Sequence, residues 1–399
     1  MRRRVLLISN NYANAGVIYK YVRNFADAVK DDVQIVIATH KTKVDVPDGC
    51  EMIQSFYIPT HWYEAIRFRC FGTYDSSVPD IMRYTVSPFL KRKLSKYISK
   101  NKVDVLHSFS FACSSHLIAN KLKEKYGIPW VAHFLDAWIG NPYRNIKEED
   151  RDKDADYERM VAQNADVIVH TNYVIAKQWI DRYGDVVKNK IKVIPLGYSL
   201  SVYDDLRHIE QHGHSHDKIT ITYIGTCAGE RNLQTLIKAL DILNTESPQT
   251  NNMLEVRVLG NKLPIDENLV QKLSLSEVVH FVGRKSGVEL NAEYERADIF
   301  FVVDAPMKEN IFFPSKLLDY FKYQKPVLGI SPNIGVTNQL LRESGNYCFD
   351  NNDVKGVADY LRTAITDFQS LMNYDRNFYQ LFLPESIADE YQKILSSLV

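Results

Sequence analysis

Short apolar runs alternate with amphipathic segments along the first half of the chain. The runs are rich in β-branched residues, whereas the segments between them repeat apolar residues at helical spacing. The runs are "RVLLIS", "VQIVIAT", "VDVLHSF", "PWVAHF" and "DVIVHT", and the segments include "GVIYKYVRNFADAVK" and "HLIANKLKEKYG". Strands of continuous apolar character indicate a parallel sheet covered by helices on both faces. The pattern predicts an α/β domain over residues 1–197.

The alternation stops and then begins again, which divides the chain. After "IKVIPLGY" comes the polar, poorly periodic stretch "SVYDDLRHIEQHGHSHDK", and strands resume with "ITITYIGT", "LEVRVLG", "VVHFVG" and "ADIFFVV". The restart predicts a linker over 198–217 and a second α/β domain over 218–383. The segment 384–399 has Pro384 near a helix start and apolar residues at helical spacing. We expect a closing helix there, with the first domain as its candidate packing partner.

Composition and charge narrow the function classes. The 399 residues carry a formal net charge of zero, which argues against a nucleic-acid binder that relies on a broad basic surface. The five cysteines are scattered and form no CxxC pair, so a reducing cytoplasm is the expected location.

"MRRRVLLIS" is interpreted as a strand rather than a signal peptide, because its apolar run stops at Asn10. No apolar run approaches the roughly 18 residues that span a bilayer, so membrane contact would be peripheral.

Four histidines in the linker raise the alternative of a metal site. They are His208, His212, His214 and His216. The segment has no acidic or cysteine partners at settled spacing, so a solvated linker explains them and we expect no metal.

Ligands of open α/β sheets bind at the carboxyl ends of the strands, and three stretches place suitable residues there. In the first, Gly16 follows a strand and precedes a helical segment, where backbone can approach a phosphate. In the second, Gly225 and Thr226 end a strand, and Arg231 is expected in the opening turn of the next helix. A cation there opposes the helix dipole unless an anion is bound.

The third stretch is "FFPSKLLDYFKYQKPVLGI". Pro314 and Ser315 predict a helix start, which places Lys316 in the first turn with Asp319 on the same face. A local ion pair is one interpretation of these two residues. We favour separate roles, in which Lys316 and the helix amino end neutralise a diphosphate and Asp319 accepts hydrogen bonds from sugar hydroxyls. The absence of GxGxxG and GxxxxGK[ST] argues against a dehydrogenase or a P-loop NTPase.

Successive blocks of the chain resemble the GT-B glycosyltransferases, in particular the family 4 group. They include "YGIPWVAHFLDAW", "ERMVAQNADVIVHTN", "KIKVIPLGY", "ITYIGTCAGERNLQTLIKAL" and "PSKLLDYFKYQKPVLGI", and together they cover most of the chain. The resemblance implies two Rossmann-like, doubly wound domains facing an interdomain cleft. It also implies a nucleotide-sugar donor held mainly by the second domain, an acceptor held by the first, retention of anomeric configuration, and no metal or other cofactor.

The resemblance assigns roles to individual residues. Arg231 and Lys316 match the family's diphosphate-contacting cations, and Asp319 falls where the family usually has a ribose-binding glutamate. The backbone around Gly283 and Arg284 matches the base-contacting loop. The resemblance also implies that Gly16 belongs to the first-domain loop that closes over the diphosphate, and Gly225, Thr226 and Ser315 complete the donor-binding candidates.

The chain departs from the family at one position. The family's E-x7-E motif would place its first glutamate eight residues before Asp319, where this chain has Ile311, and Glu309 is out of register. The residue that holds the donor hexose is therefore left open.

The first domain supplies one further candidate. "AHFLDAWIG" places His133 and Asp136 at a strand end, and Asp136 matches an acidic residue in related transferases. We expect Asp136 to orient the acceptor or the transferring sugar, which makes it the third catalytic candidate beside Lys316 and Arg231. His133 is either part of this site or a strand histidine with local partners.

A lipid-linked acceptor is suggested by two segments of the first domain. "FYIPTHWYEAIRFRCFGTYDSSVPD" is dense in aromatic residues, and "LKRKLSKYISKNK" interleaves basic and apolar residues. Such a pairing suits a membrane surface, and the alternative is a helix with one solvated charged face.

The leading hypothesis is a cytoplasmic retaining hexosyltransferase of polysaccharide biosynthesis, with the inner membrane face as an alternative location. Its substrates would be a nucleotide sugar and a glycan or lipid-linked acceptor, with no nucleic acid. The competing hypotheses are a non-hydrolysing nucleotide-sugar epimerase and a non-catalytic nucleotide-sugar-binding protein, for which Ile311 is the best argument.

Overall fold

The chain divides into two compact units in this computed structural model. The described residues are 2–9, 17–40, 46–55, 69, 88–110, 113–142, 144, 148–199 and 218–398. The first unit comprises Met1–Asp204 and Leu381–Val399, and the second comprises Asp205–Gln380. The division falls inside the predicted linker, and the second unit ends slightly before the predicted residue 383.

The first unit is built on a parallel sheet of seven strands in the order β3-β2-β1-β4-β5-β6-β7. Its strands are β1 Arg3–Ile8, β2 Val33–His40, β3 Glu51–Ser55, β4 Val105–Phe109, β5 Trp130–Phe134, β6 Val167–His170 and β7 Ile191–Val193. Its helices are α1 Val17–Val29, α2 Pro88–Ile98, α3 Ser114–Tyr126, α4 Glu148–Asn164, α5 Tyr173–Tyr183 and α6 Asp185–Lys188. Every residue of β4, β5 and β6 is buried, as the continuous apolar runs predict for a sheet covered on both faces.

The second unit contains a parallel sheet of six strands in the order β10-β9-β8-β11-β12-β13. Its strands are β8 Ile219–Thr226, β9 Leu254–Asn261, β10 Val279–Gly283, β11 Ile299–Val303, β12 Val327–Ile330 and β13 Tyr347–Phe349. Its helices are α7 Gln234–Glu246, α8 Pro248–Asn251, α9 Pro264–Lys272, α10 Gly287–Arg296, α11 Lys316–Lys322, α12 Val336–Glu343 and α13 Val354–Thr366. Both predicted α/β domains are therefore present as parallel sheets with helices.

The last helix, α14 Pro384–Ser397, belongs to the first unit and packs on α1. Tyr391 of α14 is fully buried, and its hydroxyl lies 2.9 Å from Nδ1 of His107 in β4. The Tyr198 backbone N–H donates to the Phe382 carbonyl oxygen at 2.8 Å just before this helix. The end of the chain thus completes the core of the unit in which the chain begins.

The strand order of the second unit defines where a ligand can bind. From β8 the chain proceeds outward through β9 and β10, then returns to β11 beside β8 and proceeds the other way. In open α/β sheets, such a reversal leaves a crevice at the carboxyl ends of the two central strands. The crevice of this unit therefore lies at the ends of β8 and β11. In neither unit do the described residues include a helix long and apolar enough to cross a bilayer.

Candidate functional site

Lys316 reaches the crevice between β8 and β11 as the first residue of α11. Its Nζ lies 3.3 Å from the Tyr223 hydroxyl and 4.5 Å from the centroid of the Tyr223 ring. The pKa of Lys316 is lowered to about 8, mainly by burial and then by the charge of Arg231, while the charge of Asp304 opposes the decrease. The amine is therefore a desolvated cation with a second cation close by.

Tyr320 fixes α11 to the two central strands. Its hydroxyl accepts from the Ile224 backbone N–H at 3.0 Å and donates to the Phe301 carbonyl oxygen at 3.1 Å. The ring is fully buried and stacks on Phe300 with centroids 4.5 Å apart. Because Tyr320 is one turn after Lys316, this anchor sets the position of the amine relative to both strand ends.

Arg231 precedes a helix instead of opening one, which corrects the expectation from the sequence. It lies in a tight turn closed by its backbone N–H, which donates to the Ala228 carbonyl oxygen at 3.1 Å, and α7 begins only at Gln234. The Asn232 side chain accepts from the Gln234 backbone N–H at 3.1 Å, and Asp266 accepts from the Leu233 N–H at the same distance. These two side chains cap the segment and delay the helix.

Arg231 has an unused hydrogen-bond donor inside the crevice. Its Nε is buried and has no hydrogen-bond partner among the described residues. A buried donor without an acceptor is costly, and a guanidinium is suited to an anion such as phosphate. With Lys316 close enough to feel its charge, Arg231 forms a site of concentrated positive charge.

Gly225 leaves room for the lysine. A Cβ at this position would overlap Nζ of Lys316 and lie 3.2 Å from the Tyr223 hydroxyl oxygen. Glycine at the end of β8 thus permits the amine to lie against the backbone. The next residue, Thr226, is exposed at the strand end. Ser315 is also exposed, and its side chain makes no capping hydrogen bond to α11.

The position of the family's first glutamate is occupied by a buried apolar residue, Ile311. Ile311 is 3% exposed, so its side chain belongs to the interior. The adjacent Asn310 is also buried, and its Nδ2 donates to Oδ2 of Asp304 at 2.6 Å. Ser331 donates to the same oxygen at 2.9 Å, which leaves Asp304 as a buried, hydrogen-bonded carboxylate directly after β11.

Asp319, three residues after Lys316 in α11, interacts with the neighbouring helix α10. The Tyr294 hydroxyl on α10 hydrogen-bonds to Asp319, and the pKa of Tyr294 is raised by burial first and by the charge of Asp319 second. The Tyr294 ring stacks on Tyr323 with centroids 4.8 Å apart. Asp319 is half-buried and accepts a hydrogen bond from Tyr294.

The predicted base-contacting loop lies at the end of β10. Gly283 has φ of 81°, in the left-handed region that favours glycine, and the β9–β10 register shifts between Phe281 and Gly283. The Arg284 Nε donates to Oδ1 of Asn261, the last residue of β9, at 3.1 Å. Strand spacing puts this loop about 10 Å along the sheet edge from β8.

In the first unit, Asp136 is half-buried after β5, and burial raises the pKa of its carboxyl to about 6. His133 is buried within β5, and its Nδ1 lies 3.3 Å from Nε2 of His107. His133 is therefore a strand histidine with local partners, which was one of the two interpretations. Of these two residues, Asp136 stays the candidate site residue of the first unit.

Some predicted features fall outside the described residues. They are Gly16, the four linker histidines and nearly all of the aromatic stretch 56–80. The basic segment forms α2, in which Leu90 and Leu94 are buried while Lys93 is exposed. The described residues contain no group of three or more His, Cys, Asp or Glu side chains that could hold a metal ion.

Comparisons with known proteins match most of the chain. The family model "Glycosyltransferase Family 4" matches residues 20–202, and "Glycosyl transferases group 1" matches residues 204–380. The chain belongs to the GT-B glycosyltransferases of the family 4 type. No curated protein sequence matches it.

Solved structures with the same fold include several of these transferases. HepE of Anabaena in complex with UDP and glucose has a TM-score of 0.62 at 13% identity, over 99% of this chain and 100% of that one. Sucrose-phosphate synthase from Thermosynechococcus elongatus has 0.63 at 19% identity, over 100% and 99%. The lipopolysaccharide outer core galactosyltransferase WaaB has 0.65 at 12% identity, over 99% and 100%. At such identities the likeness shows the GT-B fold.

Two residues of this glycosyltransferase site were missed by sequence reasoning. Tyr223 lies inside an apolar strand, where an aromatic residue is indistinguishable from core. Asp304 gave a usable signal, because it is an acidic residue directly after the buried run "IFFVV".

Proposed function

We propose that this glycosyltransferase transfers a hexosyl group from a nucleoside-diphosphate sugar to a glycan or a lipid-linked acceptor, with retention of anomeric configuration. The observation that carries the proposal is the buried Nε of Arg231, which has no hydrogen-bond partner among the described residues, beside the desolvated amine of Lys316. Arg231 belongs to the loop that follows the central strand β8, and Lys316 to the helix that follows β11. A diphosphate would supply an acceptor for Arg231 and negative charge for both cations.

The chemistry follows from where charge develops. As the bond between the sugar and the diphosphate breaks, the leaving oxygen gains negative charge and the sugar becomes oxocarbenium-like. Fixed cations stabilise that charge more strongly in the transition state than in the ground state, which lowers the barrier. Lys316 and Arg231 would thus act on turnover as well as on donor binding.

The remaining roles are assigned by position. Asp319 would accept hydrogen bonds from the ribose, the backbone at Gly283 and Arg284 would contact the base, and Gly225 would let the backbone approach the diphosphate. Asp136 would orient the acceptor, and a diphosphate oxygen would take the acceptor proton in a same-face displacement. This scheme requires no divalent metal.

The proposal extends to the biological setting. We propose a role in polysaccharide biosynthesis in the cytoplasm, with a lipid-linked acceptor presented at the inner membrane face. HepE, which shares the fold, has been crystallised with UDP and glucose, which supports a uridine-type donor as the first to test.

A non-catalytic nucleotide-sugar-binding role is the second candidate. The observation that favours it is the burial of Ile311, because the family places a carboxylate there. Asn310 and Asp304 are adjacent polar groups, but they hydrogen-bond to each other.

The experiment is a donor panel. The protein is incubated with UDP-, GDP-, ADP- and TDP-linked hexoses, and released nucleoside diphosphate and the anomeric form of any product are measured. Release with one donor and a retained configuration support the proposal. Tight binding without release supports the binding role, conversion to an epimer supports a nucleotide-sugar epimerase, and inversion contradicts the retaining mechanism.

A further inference from the structure

Tyr223 makes the closest contact with the cation at the centre of the site. It is the fifth residue of β8, is fully buried, and directs its hydroxyl toward the crevice end of the strand. Among the described residues, the Tyr223 hydroxyl is the sole hydrogen-bond partner of the Lys316 amine, at 3.3 Å. The same amine lies over the Tyr223 ring at 4.5 Å from its centroid.

The hydroxyl has a defined orientation. An ammonium can only donate, so the Tyr223 oxygen accepts from Lys316. The hydroxyl proton is then directed away from the amine. The neighbouring Cys227 is buried just after β8 and helps to raise the pKa of the Tyr223 hydroxyl, after burial itself. The contact with Lys316 therefore defines which side of the hydroxyl oxygen faces the amine.

Tyr223, the hydrogen-bond partner of the Lys316 amine, is a neutral side chain. A carboxylate could also hold a lysine side chain, but it would cancel the charge that a diphosphate needs. A phenol ring and its hydroxyl oxygen attract an ammonium while leaving its full charge available to a ligand. Gly225 contributes by leaving space, because a Cβ there would overlap Nζ of Lys316.

We propose that Tyr223 is a positioning residue, which holds the Lys316 ammonium in place at the ends of β8 and β11 so that it meets the leaving diphosphate without rearrangement. This role rests on the proposed transferase function. A lysine side chain has four rotatable bonds, and holding it before the reaction removes an ordering cost from the transition state.

Two substitutions separate the contributions of the hydroxyl and the ring. Tyr223→Phe keeps the ring beneath the amine and removes the hydroxyl, whereas Tyr223→Leu removes both. Tyr360→Phe is the matched control, because Tyr360 is also buried in the same unit and its hydroxyl has no hydrogen-bond partner among the described residues. If Tyr223→Leu fails to fold, Tyr223→Phe still provides the test.

The first readout needs no nucleotide. The pKa of Lys316 is measured by competitive acetylation over a pH series, with the modified peptide quantified by mass spectrometry. Because both ring and hydroxyl favour the charged amine, we expect Tyr223→Phe to lower this pKa by about 0.5 and Tyr223→Leu by about 1, given the usual strength of cation–π contacts. Tyr360→Phe should leave it unchanged.

The second readout is kinetic. We expect kcat for donor cleavage to fall about 10-fold in Tyr223→Phe and further in Tyr223→Leu, with a smaller change in KM, because the contact acts mainly when leaving-group charge develops. An unchanged Lys316 pKa and unchanged kcat in both variants would overturn the proposal. If the wild-type protein neither binds UDP nor cleaves any donor, the proposed transferase function is wrong. The role of Tyr223 in catalysis is then also wrong, even if the substitutions shift the pKa of Lys316.

Discussion

Lys316 combines a stability cost with a functional role. Its folded-state pKa lies below the ordinary value of 10.5 because burial disfavours the ammonium. The protonated amine therefore destabilises the native state at all pH values below about 8, and this cost disappears as pH rises toward 10.5. Such a cost is typical of a group retained for activity rather than for folding.

Lys316→Met tests this combination. The substitution keeps an unbranched side chain that is one atom shorter and removes its charge, so we expect turnover to fall by about 10²-fold or more. The free energy of unfolding at pH 7 should rise by about 1–3 kcal/mol, because the desolvated charge is gone. Donor assays and denaturant melts at pH 7 and pH 10 measure both effects, and the gain should be largely lost at the higher pH.

The control for that substitution is Lys355→Met, at an exposed position of α13 in the same unit. It should change neither turnover nor stability appreciably. A Lys316→Met protein with wild-type turnover, or one that is less stable at pH 7, would contradict the role and environment assigned to the amine.

The affinity for UDP should depend on pH through the same residue. With a pKa of about 8, Lys316 is charged at pH 7 and loses its proton as pH rises through 8. We therefore expect affinity to be nearly constant below pH 7.5 and to weaken up to about tenfold per pH unit above 8. Lys316→Arg, which stays charged, should flatten this dependence in titration calorimetry. A wild-type profile that is flat up to pH 10 would be inconsistent with a lysine contact.

At the level of elements, α11 owes its position to Tyr320. The Tyr320 hydroxyl is the hydrogen-bond acceptor of the Ile224 N–H in β8 and donates to the Phe301 carbonyl in β11. Tyr320→Phe would leave buried backbone groups without partners and should cost about 1–3 kcal/mol of stability. Tyr360→Phe removes a hydroxyl that has no partner among the described residues, so we expect a much smaller loss. Equal losses in chemical denaturation would contradict the anchoring role.

Local sequence patterns predicted the elements better than their ends. Alternating apolar runs predicted the central strands because those strands are buried on both faces, as β5 is. The edge strand β3 was missed, since only one of its residues is fully buried and its sequence has no apolar run. Arg231 was assigned to a helix that begins three residues later. Asn232 could have indicated the later helix start, because asparagine is common just before a helix, where its side chain accepts from a backbone N–H.

Residues of the candidate site differ in how well the sequence alone could predict them. Lys316 could be predicted because a cation in the first turn of a helix conflicts with the dipole. Arg231 was selected by the same argument, although the structure places it before the helix. Tyr223 could not, because its contact with Lys316 joins residues from distant parts of the sequence. Asp319 was predicted by its spacing, but its pairing with Tyr294 depends on how α10 packs against α11.

At the level of the whole molecule, the two units should respond differently to acid. The described residues of the first unit include four buried histidines, and burial lowers the pKa of each. The pKa values of His116, His133 and His170 are lowered to about 3. The unfolded chain takes up protons at these positions below pH 6.5, whereas the folded unit does not. Stability of this unit is therefore lost as pH falls through 6.5, by at most about 5 kcal/mol per pH unit for four histidines.

Two carboxyls in the first unit act in the opposite direction. Burial raises the pKa of Asp136 to about 6 and also raises that of Glu158, so their protonation partly offsets the loss. We expect hydrogen exchange in β4, β5 and β6 to accelerate between pH 7 and pH 5, after correction for intrinsic rates, while β8 and β11 change little. Equal changes in the two units would contradict the prediction.

The central claim is that a diphosphate binds at the ends of β8 and β11, and a crystal structure with UDP tests it most directly. The account predicts diphosphate oxygens within about 3 Å of the Lys316 Nζ and of the Arg231 guanidinium, the distance of charge-assisted hydrogen bonds. It also predicts that Arg231 Nε, which has no hydrogen-bond partner among the described residues, donates to one of these oxygens. UDP bound elsewhere, with no diphosphate oxygen near Lys316 Nζ or Arg231 Nε, would contradict it.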